Sequence, residues 1–313
     1  MGRLVVIPIL AGLIVAACSS GTNEPVDLTQ RGGTIFSSPT SAAPEANGAT
    51  TVADPTPTSA PTTVPVGTAP LPLDYTVVAT HPHDVDAFTQ GLLFWQGRFV
   101  ESTGERGESD LRVVDPETGD VLALRTFDEP AVEAIRQSVG IDQGLFGEGV
   151  ALVEDRLIQL TWTAGHALVW DLTSLEFEES LVYGGEGWGL CYDGSRLVMS
   201  NGSSFLTFRD PSTFEPTGSV EVTWAGQPVS SLNELECIGG QVWANTWKDN
   251  RILVIDPVSG AVSHVLDATD LEPDGVRGGR DVLNGIAHDP QTGRLWLTGK
   301  NWPVLYEVAV DLP

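Results

Sequence analysis

The feature that most restricts how this chain can fold is a segment that recurs five times. Stretches beginning at Phe88 (FTQGLLF), Phe146 (FGEGVAL), Glu186 (EGWGLCY), Ser231 (SLNELEC) and Val282 (VLNGIAH) can be laid over one another. Each leads into an apolar run, a short turn, a second run ending in Ser, Thr, Asn or Trp, a third run, a turn of the DPETG kind and a fourth run. The first unit shows the pattern best, as GLLFW, RFVEST, DLRVVD and DVLALRTF. Counted from Gly91, Gly149, Gly189, Glu234 and Gly285, successive units lie 58, 40, 45 and 51 residues apart. Short β-rich runs punctuated by turn signals, without long helical periodicity, argue for an all-β fold. Four strands at this period suggest the blades of a β-propeller, whereas a β-sandwich would not account for one turn recurring so often. The expected fold is a five-bladed propeller of four-stranded blades. The fifth unit ends a strand short, and Tyr75–Thr80 (YTVVAT) is expected to complete it, closing the ring and covering an edge that would otherwise be exposed.

The repeat also places side chains. The residue before each aligned position begins an innermost strand, so Gln90, Glu148, Trp188, Asn233 and Asn284 are expected to ring one end of the central channel. The second strand runs back to the same face, which brings Gly104, Trp162, Gly202, Trp247 and Lys300 to that rim. A tryptophan at a strand end is more often packing than function. Three of them converging with amides, a lysine and one carboxylate, Glu148, read instead as an apolar-walled small-ligand pocket with a few placed polar groups. Two long loops are expected to open on this face: Asp128–Leu145 and Leu271–Asp281. In the first, Pro130 marks a helix start, Val132, Ile135 and Val139 share a face, and Gly140 marks a stop. His81 and His83 read as surface residues, since no third metal ligand suggests itself. No GxSxG, HExxH or CxxC occurs, which removes support for serine hydrolase and zinc chemistry. No cofactor is expected; acidic patches leave room for a structural cation whose place the sequence does not give.

A formal net charge of −26 argues against nucleic acid, which requires a basic patch. Residues 1–18 carry one basic residue, a short apolar run and VAACSS. The run is too short to span a bilayer, and its end resembles the lipobox of bacterial lipoproteins. That likeness implies a lipidated Cys18 and export to the outer face of the cell membrane; an ordinary cleaved secretory peptide is the alternative. Residues 19–72 hold nine of the 21 prolines among Thr, Ser and Ala, and read as a disordered tether. At ~3 Å per residue such a segment spans on the order of 100 Å. Residues 73–313 form the expected propeller domain. After Cys18 only Cys191 and Cys237 remain; export permits a disulfide without establishing one, and two buried thiols are the reading favoured here.

With these residues in place, the chain resembles the plant-type and bacterial glutaminyl-peptide cyclotransferases, a five-bladed propeller family unrelated in fold to the zinc-dependent animal enzymes. The likeness runs from about Tyr75 to Val308 through FTQGL, FGEGVAL, QLTW, GWGL, LNELE, ANTW, LNGIA and TGKNWPVLYEV. It implies an active site of Phe88, Gln90, Phe146, Glu148, Trp162, Trp188, Asn233, Trp247 and Lys300, seven of which the repeat had already brought to one rim. The implied reaction converts an N-terminal glutamine of a peptide or protein to pyroglutamate and ammonia, with Glu148 as general acid and base and Asn233 and Lys300 assisting. The Asp128–Leu145 insertion and the long tether depart from the family pattern. The chain is expected to act as a monomer. Two other readings stay open: a propeller that binds peptides or sugars without catalysis, and a metal-dependent lactonase, which would need several convergent carboxylates.

Overall fold

The computed structural model describes residues 67–276 and 279–311; the leader, Cys18 and most of the tether lie outside these. Five four-stranded antiparallel sheets are arranged as blades. Blade 1 comprises Thr89–Trp95, Arg98–Thr103, Asp110–Val114 and Val121–Thr126. Blade 2 comprises Gly147–Val153, Arg156–Thr161, His166–Asp171 and Phe177–Val182. Blade 3 is built from Leu190–Tyr192, Leu197–Met199, Phe205–Arg209 and Pro216–Glu221, and blade 4 from Leu232–Ile238, Gln241–Thr246, Asp249–Ile255 and Val262–Asp267. Blade 5 takes Leu283–Asp289, Arg294–Gly299 and Val304–Val310 from the end of the chain. Its outermost strand is Tyr75–Pro82, antiparallel to Val304–Val310 with Tyr75 opposite Val310.

The first strand of each blade packs against the first strand of the next, and that of blade 5 against that of blade 1. These inner strands are buried on both faces, as in GEGVALV, while the outer ones show their far side to solvent, as in VLALRT. The recurring DP turns are Asx turns: the Asp115 carboxylate accepts the amides of Glu117 and Thr118, and Asp210 accepts those of Ser212 and Thr213. The aligned glycines answer to close approach. A Cβ at Gly149 would lie 2.5 Å from the amide nitrogen of Leu190, and one at Gly189 would lie 2.0 Å from the carbonyl oxygen of Asn233.

Four expectations need correction. Leu71–Leu73 is a short strand parallel to Val262–Asp267, with Leu71 opposite His264. The folded part therefore includes Leu71 and Pro72, because a segment with tether-like composition still covers the outer edge of blade 4. Cys191 and Cys237 are not free thiols but a disulfide, with Cα atoms 5.5 Å apart; their strands are neighbours in the ring although 46 residues separate them. His81 and His83 are not surface residues. The His83 Nδ1 lies 2.8 Å from the carbonyl oxygen of Trp302 and its Nε2 lies 3.1 Å from Glu101, which also accepts the Thr89 hydroxyl. Burial works to lower the pKa of His83, but the adjacent Glu101 carboxylate prevails and the net shift is upward. Two acceptors facing both ring nitrogens fit the imidazolium form. The insertion helix forms as expected at Pro130–Ser138, burying Val132, but Val139 lies past its end and is exposed.

Candidate active site

A cavity of about 220 Å³ opens at the end of the channel where the inner strands begin. The backbone aims its polar side chains through a shared irregularity. In blades 1, 2, 4 and 5 the register of the first hairpin slips at the same place: between Thr89 and Gly91, Gly147 and Val150, Leu232 and Leu235, and Leu283 and Ile286. A β-bulge re-aims the side chain it carries, and the bulged residues include Gln90, Glu148 and Asn233. The two rings are joined by one repeated backbone bond. The amides of Gly104, Trp162, Trp247 and Lys300 donate to the carbonyl oxygens of Phe88, Phe146, Ser231 and Val282.

All nine residues expected at the site line this cavity, together with Arg280, which the sequence did not single out. Asn284 does not reach it. Its side chain lies beneath, donating to the carbonyl oxygen of Thr89 at 2.9 Å and to Gln90 Oε1 at 3.4 Å, so it props a lining residue rather than being one. Gly104 and Gly202, the two blanks in the second ring, make room for aromatic walls. A Cβ at Gly104 would lie 2.4 Å from the Phe146 ring, and one at Gly202 would lie 2.7 Å from the Trp188 ring. Phe146 meets Phe88 and Trp162 edge to face, and Trp188 meets Trp247 at 88° with centroids 5.8 Å apart. Trp247 is 40% exposed and forms the outer lip.

The floor is buried and charged. Glu148 is 4% exposed and Lys300 is 3% exposed. Burial pushes the Glu148 carboxyl well above the ordinary range; Lys300 pulls it down and Glu186 adds to the rise. Burial lowers Lys300 to about 8, against the attraction of Glu148 and with the help of Arg280. The Lys300 ammonium sits 4.8 Å from the Phe88 ring centroid, and the Arg280 guanidinium sits 5.2 Å from it. Arg280 is also ion-paired with Glu105 at 2.6 Å, joining the Leu271–Asp281 loop to blade 1. A buried carboxyl with a raised pKa can take up a proton and return it, beside amide and ammonium donors suited to an oxygen that gains charge.

The sequence matches the glutamine cyclotransferase family over residues 49–310. This chain belongs to that family. It is 39% identical over 242 residues to a glutaminyl-peptide cyclotransferase of Arabidopsis thaliana, covering 75% of this chain and 70% of the relative. Its fold matches the crystal structure of Myxococcus xanthus glutaminyl cyclase with a TM-score of 0.69 and 39% identity, covering 78% of this chain and 99% of that one.

Two cyclotransferase residues near the cavity escaped the sequence reading besides Arg280. Glu186 accepts hydrogen bonds from two of the pocket tryptophans, and its place two residues before Trp188 in EGWG was a signal available in the repeat. Glu234 is a second buried carboxylate, on the channel side of blade 4. It stands where the other four units carry glycine, a departure visible in the repeat itself.

Proposed function

We propose that this chain cyclises N-terminal glutamine on peptides or proteins, releasing ammonia. The α-nitrogen attacks the side-chain Cδ, a C–N bond closes a five-membered ring, and the bond from Cδ to the amide nitrogen breaks. Glu148 takes the proton that the α-nitrogen loses and returns it to the departing nitrogen, so one carboxylate serves as base and then acid. Gln90, Asn233 and Lys300 surround the position of the amide oxygen as it gains negative charge. Phe88, Phe146, Trp162, Trp188 and Trp247 hold the side chain folded back toward its own amine, the arrangement that makes an intramolecular attack fast. The observation that carries the reading is a single buried carboxylate of raised pKa inside an aromatic pocket that also holds a lysine and two amides.

The donor set around the cavity supports chemistry without a metal cofactor. It offers one carboxylate and neither histidine nor cysteine, and among the described residues no group of three or more His, Cys, Asp or Glu is placed to hold a metal ion. Loss of activity in EDTA that zinc restores would overturn that part. The deciding experiment is a set of peptides differing only in the first residue, assayed for ammonia from pH 5 to 9. Glutamine should react; asparagine, which would have to close a four-membered ring, should be inert; and glutamate should be slow. Comparable rates for glutamine and asparagine would overturn the cyclase reading.

Lipid anchoring at Cys18, export to the outer face of the membrane and action as a monomer are parts of the same proposal. The leader sequence supports the first two, and a disulfide fits an oxidising compartment. Lipid labelling that survives Cys18→Ala would overturn the anchor, and an elution volume matching a dimer would overturn the monomer.

A further inference from the structure

Two of the three pocket tryptophans are tied to a single atom. Glu186 lies on the turn 184–187 that leads from blade 2 to blade 3. Its Oε2 accepts the indole N–H of Trp162 at 2.8 Å and that of Trp188 at 2.9 Å. The indoles come from different blades, one following the second strand of blade 2 and the other opening blade 3. An indole N–H only donates, so neither ring can satisfy the other, and one carboxylate oxygen satisfies both. The turn is itself fixed. The Gly187 amide donates to the carbonyl oxygen of Trp162 at 3.0 Å, and a Cβ at Gly187 would lie 2.4 Å from the Tyr183 hydroxyl. That hydroxyl is bonded in turn to the carbonyl oxygen of Thr161. Glu186 is exposed and is not part of the cavity lining.

We propose that Glu186 is a positioning residue for the cyclisation: its carboxylate locks Trp162 and Trp188 at the orientation that holds the substrate side chain folded back, and it keeps both indole N–H groups from binding substrate carbonyls. This rests on the cyclase reading. Charge-assisted bonds of this length hold a side chain more firmly than neutral ones, and an active-site wall that drifts by about 1 Å can cost on the order of 100-fold in rate. The same carboxylate acts on Glu148 through space. The groups that bear on Glu148 are Lys300 from blade 5, which favours its ionised form, Glu186, which disfavours it, and the buried Tyr183 hydroxyl beyond blade 2. The strand carrying Glu148, GEGVALV, has no other charge. Removing the negative charge of Glu186 should therefore ionise Glu148 at lower pH.

The test compares Glu186→Gln with Glu186→Ala. Glutamine offers an oxygen to both indoles without charge; alanine offers nothing. Ammonia release is measured as kcat and KM across pH, and indole N–H resonances are followed in two-dimensional 1H–15N spectra, assigned with Trp162→Phe and Trp188→Phe. E186A should lose about 10- to 100-fold in kcat/KM and displace both indole resonances. E186Q should recover most of the rate, with the acid limb of its profile displaced to lower pH. An alanine variant within twofold of the parent, or unmoved indole resonances in an active chain, would overturn the proposal. So would an E186Q profile whose acid limb does not move while its rate falls as far as that of E186A. A parent chain that releases no ammonia would instead overturn the cyclase reading, and the indole resonances would still report whether the clamp exists.

Discussion

Glu148 and Glu234 stand one position apart in the repeat and do opposite work. Both are buried, and burial is the largest cause of the raised pKa of each. Glu148 precedes the aligned glycine of blade 2 and opens into the cavity. Glu234 occupies that glycine's place in blade 4 and points across the channel, where its two oxygens accept the backbone amides of Leu92 in blade 1 at 3.4 Å and Ile286 in blade 5 at 3.0 Å. One carboxylate faces room for a substrate; the other is taken up in holding three blades together. A buried acid with a raised pKa is therefore not by itself a catalytic acid. What separates the two is whether the surrounding donors leave an oxygen free to exchange a proton.

Glu148→Gln should widen that contrast the most. It should lower kcat by roughly 10²- to 10⁴-fold, the scale of a lost general acid–base, while the thermal unfolding midpoint stays within a few degrees of the parent. Near-normal ammonia release from a folded variant would move the acid–base role elsewhere. The interior is next tested through the disulfide that joins blades 3 and 4. Cys191→Ser with Cys237→Ser opens a loop of 46 residues, worth about 4 kcal/mol in chain-entropy terms. Urea unfolding should show that loss, with KM for a Gln-initiated peptide nearly unchanged.

Glu234→Ala should cost about 3 kcal/mol of stability, because it strands two buried amides, and it should leave kcat within a few-fold. A large loss of kcat with unchanged stability would erase the distinction between the two acids. The smallest effect concerns pH. Glu148 is active when ionised, so its raised pKa places the acid limb of kcat/KM above pH 4.5. The substrate amine, with an unperturbed pKa of about 7.7 to 8.0, adds to the rise. Lys300 loses its proton at about 8, so the rate should pass through a mildly alkaline optimum and then fall. In Lys300→Met the peak should be low and the alkaline fall absent; an unchanged alkaline limb would show that Lys300 does not set it.

Much of this protein follows from the sequence alone. The five-fold recurrence gave the blade number, and counting from one aligned position gave seven of the ten residues that line the cavity. The two phenylalanines came from family resemblance. Periodicity succeeds there because each residue's place along its own strand is local information, fixed by the two-residue alternation and the turn signals. What happens between blades is not local. Gln90, Glu148 and Asn233 are aimed by bulges within the first hairpin of their own blades. Asn284 has the same position in the repeat, yet hydrogen bonds to Thr89 and Gln90 draw it beneath the pocket. The Cys191–Cys237 bond, the burial of His83 against Glu101 and the Arg280–Glu105 pair each join different blades or their loops, and Glu186 holds indoles from blades 2 and 3. Those contacts exist only once the blades have packed against one another, because that packing sets the distance from one blade to the next.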